Sequence, residues 1–213
     1  TATLFAHCAL GLDRAIALTG ALGLPLIGTG DWNDGMNRVG QDGQGESVWL
    51  GWLLLATLNR FAPLAAPNDP DRAARWQAHA INLRAALERE AWDGDWYRRA
   101  TFDDGTWLGS AAGQSCRIDS IAQSWAVLSG QADPTRAAQA MAAVERHLID
   151  PEAGVALLFT PPLFGLIFDL TGSYRGIFWT FAGFAAAALL WVPMMRLKPR
   201  EESGAEARAV PAE

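Results

Sequence analysis

The chain has 213 residues, half of them hydrophobic, and carries a formal net charge of −6. This length suits one domain of ordinary size. The acidic balance argues against a nucleic-acid partner, because no basic stripe is available to contact phosphates. The two cysteines share no CxxC motif, so we expect free thiols. The chain starts within a helical pattern and has no signal peptide, which predicts a fragment of a longer protein.

The first 160 residues have the periodicity of a mainly helical protein. Five segments place apolar residues at helical spacing, and two of them open with an Asp-Pro pair that supplies an N-cap and a first-turn proline. These segments are 2–19, 46–64, 69–91, 118–130 and 133–149. Two of the connections between them are longer than helix–helix loops usually are, which favours an all-α toroid over a tight bundle.

Two short β elements interrupt the helical pattern. YRRATF, the turn Asp104-Gly105 and TWL predict a hairpin between the third and fourth helices. The apolar run 155–160 predicts a further strand.

The C-terminal region has a different composition. From Gly176 to Met195 twenty residues pass without a charge, and twenty apolar residues span roughly 30 Å as a helix. Arg196 and two further basic residues follow, which predicts a transmembrane helix over about 176–195 with a cytoplasmic C-terminus, in a bacterial inner membrane. The alternative is a buried central helix. The remainder, 198–213, is a disordered tail by composition.

The stretch GTGDWNDGMNRVG, residues 28–40, contains four glycines and two acids and no apolar run to bury. Glycines allow the backbone to approach a ligand closely. Trp32 offers a flat face for a sugar ring, and Asn33 and Asn37 supply donors and acceptors for hydroxyl groups. An indole beside Asp31 or Asp34 favours the protonated carboxyl that a general acid requires. The loop therefore has the composition of a site that cleaves glycosidic bonds.

Two other interpretations of this loop compete with catalysis. Alternating Asp, Asn, Gly and Asn residues from position 31 resemble a calcium loop, but its twelfth position is Asp42 rather than Glu, and Met36 fits poorly. The aspartates can also serve only as turn caps. Spacing alone leaves these alternatives open.

Further motifs extend the pattern across most of the chain and resemble glycoside hydrolase family 94, in particular the phosphorylase-like region of cyclic β-1,2-glucan synthases. The resemblance runs from about residue 1 to 162, and cellobiose and chitobiose phosphorylases are more distant members. It rests on GLPLIGTGDWNDGMNRVG, GQGESVWLGWLL, AWDGDWYRRATFDDGTWLGS and CRIDSIAQSWAVLSG. It implies a partial (α/α)6 barrel and inverting phosphorolysis of β-glucosidic bonds, with a β-glucan oligosaccharide as partner.

The resemblance also implies roles for individual residues. The second aspartate of the DWND motif is the family's general acid, which corresponds to Asp34, and the tryptophan that lines the sugar site corresponds to Trp32. Asp31 and Asn33 then hold the loop or bind a sugar hydroxyl. One acid suffices because phosphate, already ionised, is the nucleophile, whereas an inverting hydrolase needs a second carboxylate. No metal or bound cofactor is implied; inorganic phosphate is a co-substrate.

Other candidate residues are less specific. Glu46 is interpreted as the N-cap of the second helix, with substrate contact as the alternative. Arg117 and Asp119 are candidates for the border of the sugar cleft, and an Arg–Asp pair that only orders the start of a helix is the alternative. Gln123 and Trp125 are assigned to packing. Asp103, Asp104 and Gly105 are assigned to a turn.

The family pattern stops after LLFTPP. A glycine- and proline-rich segment with a phosphate-binding histidine motif is expected there, but residues 163–197 instead resemble the last transmembrane helix of a major facilitator superfamily transporter. We therefore expect a join near 160–163, an incomplete barrel without its phosphate site, and no turnover. A transporter remnant and a non-catalytic glucan-binding module are the alternative functions. The oligomeric state is not predicted.

Overall fold

The computed structural model describes residues 2–31, 36–114 and 116–157, and these residues are mainly helical. All of them lie in one unit with bounds Thr1–Tyr174. The helices of this described part are α1 (Leu4–Ala17), α2 (Val48–Ala65), α3 (Pro70–Ala86), α4 (Ser120–Ser129) and α5 (Pro134–Leu148). A π-helical turn, Leu87–Ala91, continues α3. Each of the five helices falls within or close to a segment predicted from apolar spacing.

Within the described ranges, two antiparallel strand pairs accompany the helices. Strands β1 (Ala100–Thr101) and β2 (Trp107–Leu108) form the predicted hairpin around Asp104-Gly105. Strands β3 (Ile149–Asp150) and β4 (Val155–Ala156) form the second pair, which confirms that a strand begins at residue 155. Residues 158–160 of that predicted strand lie outside the described residues.

Polar side chains fix the helix starts, as the Asp-Pro signals predict. Asp69 accepts a hydrogen bond from Arg72 N, and Asp133 accepts from Thr135 N and Arg136 N. Each thereby satisfies N–H groups that a helix leaves without an internal partner. The prediction that Glu46 caps α2 is wrong, because Ser47 is the N-cap and its hydroxyl accepts from Leu50 N.

Helix α2 is the centre of the hydrophobic core. It packs against α3 and α4, and ten of its residues are buried, Trp52 completely. By length and composition α2 is also apolar enough to cross a membrane, but a core helix passes the same test, and more than half of this one is buried within the domain. The predicted span 176–195 lies outside the described residues.

Candidate active site

The two long connections lie against each other. Isolated bridges join Leu26 to Glu46 and Ser47 to Ala100, so that the connection before α2 continues into the β1–β2 hairpin as a strand-like layer. The backbone hydrogen bond from Ile27 N to Gly45 O (2.8 Å) lies within this layer. The stretch that begins at residue 28 therefore follows directly after residues that backbone hydrogen bonds hold in place.

A small second hydrophobic core packs against residues at both ends of the stretch 28–40. Ile27, Val39 and Ala100 are buried together, and Met36 and Phe102 pack against them. This contact explains Met36, which fits a calcium loop poorly, because methionine adapts to irregular apolar surfaces. The residues on either side of the DWND motif are thus held by apolar packing.

Asp31 is held by a buried arginine. Its two carboxylate oxygens accept hydrogen bonds from Arg99 Nη2 (2.6 Å) and Nη1 (2.8 Å), and both side chains are 0% exposed. Ser47 Oγ donates a third bond to Asp31 Oδ2 (2.6 Å). Bidentate guanidinium–carboxylate pairs of this kind combine strength with a defined geometry. Of the two roles proposed for Asp31, the arrangement favours holding the loop; a sugar contact stays a prediction.

Asp119 lies on the other side of the same guanidinium. Its Oδ2 atom is 3.4 Å from Arg99 Nε, and its Oδ1 atom accepts from Ile121 N, which caps α4. Burial raises the pKa of Asp119 to about 6, although Arg99 and the Ile121 N–H act in the opposite direction; Asp31 adds to the rise. One guanidinium serves two buried carboxylates and does not offset the cost of burying the charge of Asp119.

This pKa predicts a pH-dependent stability. The pKa of Asp119 rises from 3.8 to about 6, so between these values the folded state retains a proton that the unfolded state releases. The stability contributed by this group is therefore present at low pH and is lost as the pH rises through about 6. Replacement of Asp119 with asparagine, which also caps helices, is expected to remove this loss.

Urea unfolding at pH 4.5 and pH 7 measures the effect. We expect the free energy of unfolding of Asp119→Asn, relative to that of the unsubstituted chain, to increase by about 2 kcal/mol from pH 4.5 to pH 7. Asp133→Asn, at the exposed N-cap of α5, is the matched control and should show no such gain. An equal gain in both variants would contradict the assignment.

Asp103 fixes the far end of the loop. Its carboxylate accepts hydrogen bonds from the backbone N–H groups of Asp42 (2.9 Å), Gln44 (2.8 Å) and Gly45 (2.9 Å), and these bonds, that of Asp42 first, lower the pKa of Asp103. A Cβ at position 45 would lie 2.7 Å from Thr101 O, so only glycine permits this approach. Asp103 lies in the predicted turn, and its carboxylate also holds the backbone of residues 42–45 in place.

Glu46 has a role that was not predicted. Its carboxylate is 2% exposed and accepts hydrogen bonds from Leu22 N (2.9 Å) and Leu24 N (2.8 Å). It therefore organises the turn after α1, which satisfies two backbone donors that burial would otherwise leave without water.

The remaining predicted residues are distributed as follows. Asp34, Trp32 and Asn33 lie outside the described residues, between Asp31 and Met36. Arg117 is exposed and lies two residues before Asp119. The structure thus joins Asp31 to Asp119 through Arg99, and a cleft border formed by Arg117 and Asp119 stays a prediction.

Gln123 and Trp125 pack, as predicted. Gln123 is buried and exchanges hydrogen bonds with the backbone of Tyr97, and Trp125 meets Trp49 edge to face at 6.3 Å between ring centroids. Within residues 2–31, 36–114 and 116–157, no group of three or more His, Cys, Asp or Glu side chains is placed to hold a metal ion.

Arg99 is the residue of this charged cluster that sequence reasoning missed. No alternation in the sequence marked it, because Arg99, Ala100 and Thr101 are buried in succession. Two buried carboxylates also require a nearby cation. Sequence alone did not show that these carboxylates were buried.

Comparison with known proteins identifies the relatives of this chain. A family model described as "Glycosyl hydrolase 94 superfamily, catalytic domain" matches residues 1–176. The chain is 58% identical over 160 residues to the cyclic beta-(1,2)-glucan synthase NdvB of Rhizobium meliloti (strain 1021), covering 75% of this chain and 6% of that protein.

Phosphorylases are similar over the same region. Identity is 36% over 166 residues to the 3-O-beta-D-glucopyranosyl-beta-D-glucuronide phosphorylase of Paenibacillus borealis, which covers 78% of this chain and 21% of that protein. Identity is also 36%, over 162 residues, to solabiose phosphorylase of the same organism, which covers 75% of this chain and 21% of that protein. The chain thus spans a small part of the synthase and about a fifth of each phosphorylase.

A solved structure shows a related fold. The GH78 family rhamnosidase of Bacillus sp. GL1 superposes with a TM-score of 0.51 at 20% sequence identity, over 67% of this chain and 14% of that one. The family model covers well over half of the chain and includes the loop around Asp31. The chain belongs to the glycosyl hydrolase 94 superfamily, within its catalytic domain.

Proposed function

We propose that this region belongs to an enzyme that forms or cleaves β-glucosidic bonds of a glucan oligosaccharide with inversion, using phosphate or glucose 1-phosphate, and that Asp34 is its general acid. The observation that carries the proposal is the 58% identity to a cyclic beta-(1,2)-glucan synthase. The similarity to two phosphorylases supports the use of phosphate.

The contacts of Asp31 support the choice of Asp34. Both Asp31 oxygens accept hydrogen bonds from Arg99, and Oδ2 also accepts from Ser47. A carboxylate held in this way is poorly placed to give a proton to a leaving oxygen. In a loop with two acids, Asp34 is then the proton donor, with Trp32 against the sugar ring and Asn33 at its hydroxyl groups.

The proposed architecture is part of an (α/α)6 toroid. The alternation of α-helices with long connections supports it, because such connections meet at one end of a ring of helices. In the parent enzyme the loop of residues 28–45 would face the glucan, with phosphate bound by residues outside the matched motifs.

Binding of β-1,2-gluco-oligosaccharides, measured by isothermal titration calorimetry, tests the substrate class. We expect binding by the unsubstituted chain, weakening of about tenfold or more in Trp32→Ala because sugar stacking is lost, and retained binding in Asp34→Asn. Absence of heat with every oligosaccharide would contradict the proposal.

Release of glucose 1-phosphate from linear β-1,2-glucan and inorganic phosphate tests turnover. We expect none from the 213-residue chain, because the phosphate-binding histidine motif that the resemblance places after LLFTPP is absent there. Release that Asp34→Asn abolishes would overturn this expectation and establish Asp34 as the acid. Binding without release is also the outcome expected of a glucan-binding module.

We propose in addition that residues 176–195 cross a membrane, with the C-terminus in the cytoplasm. The absence of charge over these twenty residues and the basic residues that follow support it. The family match ends at residue 176, where this segment begins. Recovery of the chain in membranes after an alkaline wash is expected, and recovery in the wash would contradict the span.

A further inference from the structure

We propose that Arg99 is a positioning residue for the proposed acid loop: it fixes Asp31, and thereby the start of the segment that carries Asp34. This inference rests on the proposed function for the role of Asp34, but the placement of the loop is argued from contacts alone.

The guanidinium of Arg99 joins three parts of the chain. Nη1 and Nη2 bind the two oxygens of Asp31 at 2.8 and 2.6 Å, Nη1 lies 3.3 Å from Ser47 Oγ at the start of α2, and Nε faces Asp119 at the start of α4. Arg99 and the Asp31 side chain are 0% exposed. Water therefore cannot replace these contacts, and the position of Asp31 is set by the arginine.

The backbone of Arg99 is itself fixed, so its side chain is not a flexible tether. Arg99 N donates to Leu108 O (2.8 Å), and Arg99 O accepts from Val48 N (3.1 Å). Gly109 lies directly against it, since a Cβ there would be 2.6 Å from Arg99 N, and the φ angle of +81° also favours glycine. The hairpin and α2 together hold the base of the side chain.

The described residues on both sides of positions 32–35 are held by tertiary contacts. Asp31 is bound by Arg99 before these positions, and Met36 packs in the small core after them. Val39 O, three residues further on, accepts from Asp103 N (3.1 Å). Arg99, the small core and Asp103 thus hold the described residues on both sides of positions 32–35, so loss of the Arg99 contact is expected to speed backbone exchange in the loop of residues 28–45.

Lysine is the informative substitution for Arg99. It keeps the positive charge, but its ammonium group is a single point and cannot reproduce a planar fork that binds two oxygens of Asp31 while facing Asp119. Arg99→Lys therefore separates positioning from neutralisation of charge.

Hydrogen–deuterium exchange of the backbone, read in peptides that cover 28–45, tests the proposal. In Arg99→Lys we expect about tenfold faster exchange in these peptides and little change in α2 and α3. Asp31→Asn, which keeps the size of the side chain, should give the same pattern. Arg72→Lys is the matched control, because Arg72 also binds two aspartates, Asp13 and Asp69, but far along the chain from the loop.

The result that overturns the proposal is unchanged exchange in 28–45, or equal acceleration throughout the chain in Arg99→Lys, since a purely structural arginine would loosen every element together. Oligosaccharide binding by the same variants separates this inference from the proposed function. Faster loop exchange in a chain that binds no glucan supports positioning and contradicts the substrate. Glucan binding with an unaltered loop contradicts positioning only.

Discussion

Replacement of Arg99 with methionine is expected to lower the free energy of unfolding by about 3–5 kcal/mol, which is the usual loss when one partner of a buried ion pair is removed. Methionine fills much of the same volume, so the loss arises from charge. Asp31, whose side chain is 0% exposed, and Asp119, whose side chain is 4% exposed, would remain buried without a cation. The whole free energy of unfolding of a native protein is only about 5–15 kcal/mol, so this loss is a large part of it.

Urea unfolding followed by far-ultraviolet circular dichroism measures this loss. The double variant Arg99→Met with Asp31→Asn should recover a substantial part of it, because the unpaired charge is then removed as well. A coupling energy between the two positions well above the additivity error of about 0.5 kcal/mol would establish the pair. A loss below about 1 kcal/mol in Arg99→Met, as found for exposed pairs, would contradict the buried network.

Replacement of Trp52 with alanine is expected to cost about 3–5 kcal/mol, the range for removal of a fully buried tryptophan. Trp52 is 0% exposed at the centre of α2 and meets Tyr97 edge to face at 5.1 Å between ring centroids. Its indole Nε1 is buried and has no hydrogen-bond partner among the described residues. Trp52→Phe keeps most of the packing and removes that donor, so we expect a loss of only about 1–2 kcal/mol.

Trp76 is the matched comparison for the role of the indole nitrogen. It is equally buried, but its Nε1 donates to Asp13 Oδ1 at 2.8 Å. Trp76→Phe should therefore be about 1 kcal/mol more costly than Trp52→Phe. The same thermal or urea unfolding experiment measures both variants. Equal losses for the two phenylalanine variants would contradict the assigned hydrogen bond.

The helices and the hairpin were predictable because their signals are local. Asp69-Pro70 and Asp133-Pro134 supply an acceptor and a preset φ angle within one turn, and each starts the helix it predicts. Asp104-Gly105 places a glycine where the turn needs a positive φ of 82°. Gly130 ends α4 in the left-handed region for the same reason.

The start of α2 was not predicted correctly, and the reason is equally physical. Glu46 and Ser47 are adjacent acceptors before an apolar run, and both residue types occur at helix starts. Burial decided between them. The carboxylate of Glu46 reaches back over 24 residues to Leu22 N, which local spacing does not reveal.

The sequence by itself determined the helical class, the hairpin and the family, because each depends on neighbouring residues or on a run of matched motifs, and on the same motifs rests the proposal that Asp34 is the acid. Only the tertiary structure decided that Asp31 and Asp119 share the guanidinium of Arg99. Asp31 and Arg99 are 68 residues apart in the chain, and whether two charges meet out of water depends on how distant segments fold together. An aspartate in a buried ion pair and an exposed aspartate in a turn are the same letter in a sequence.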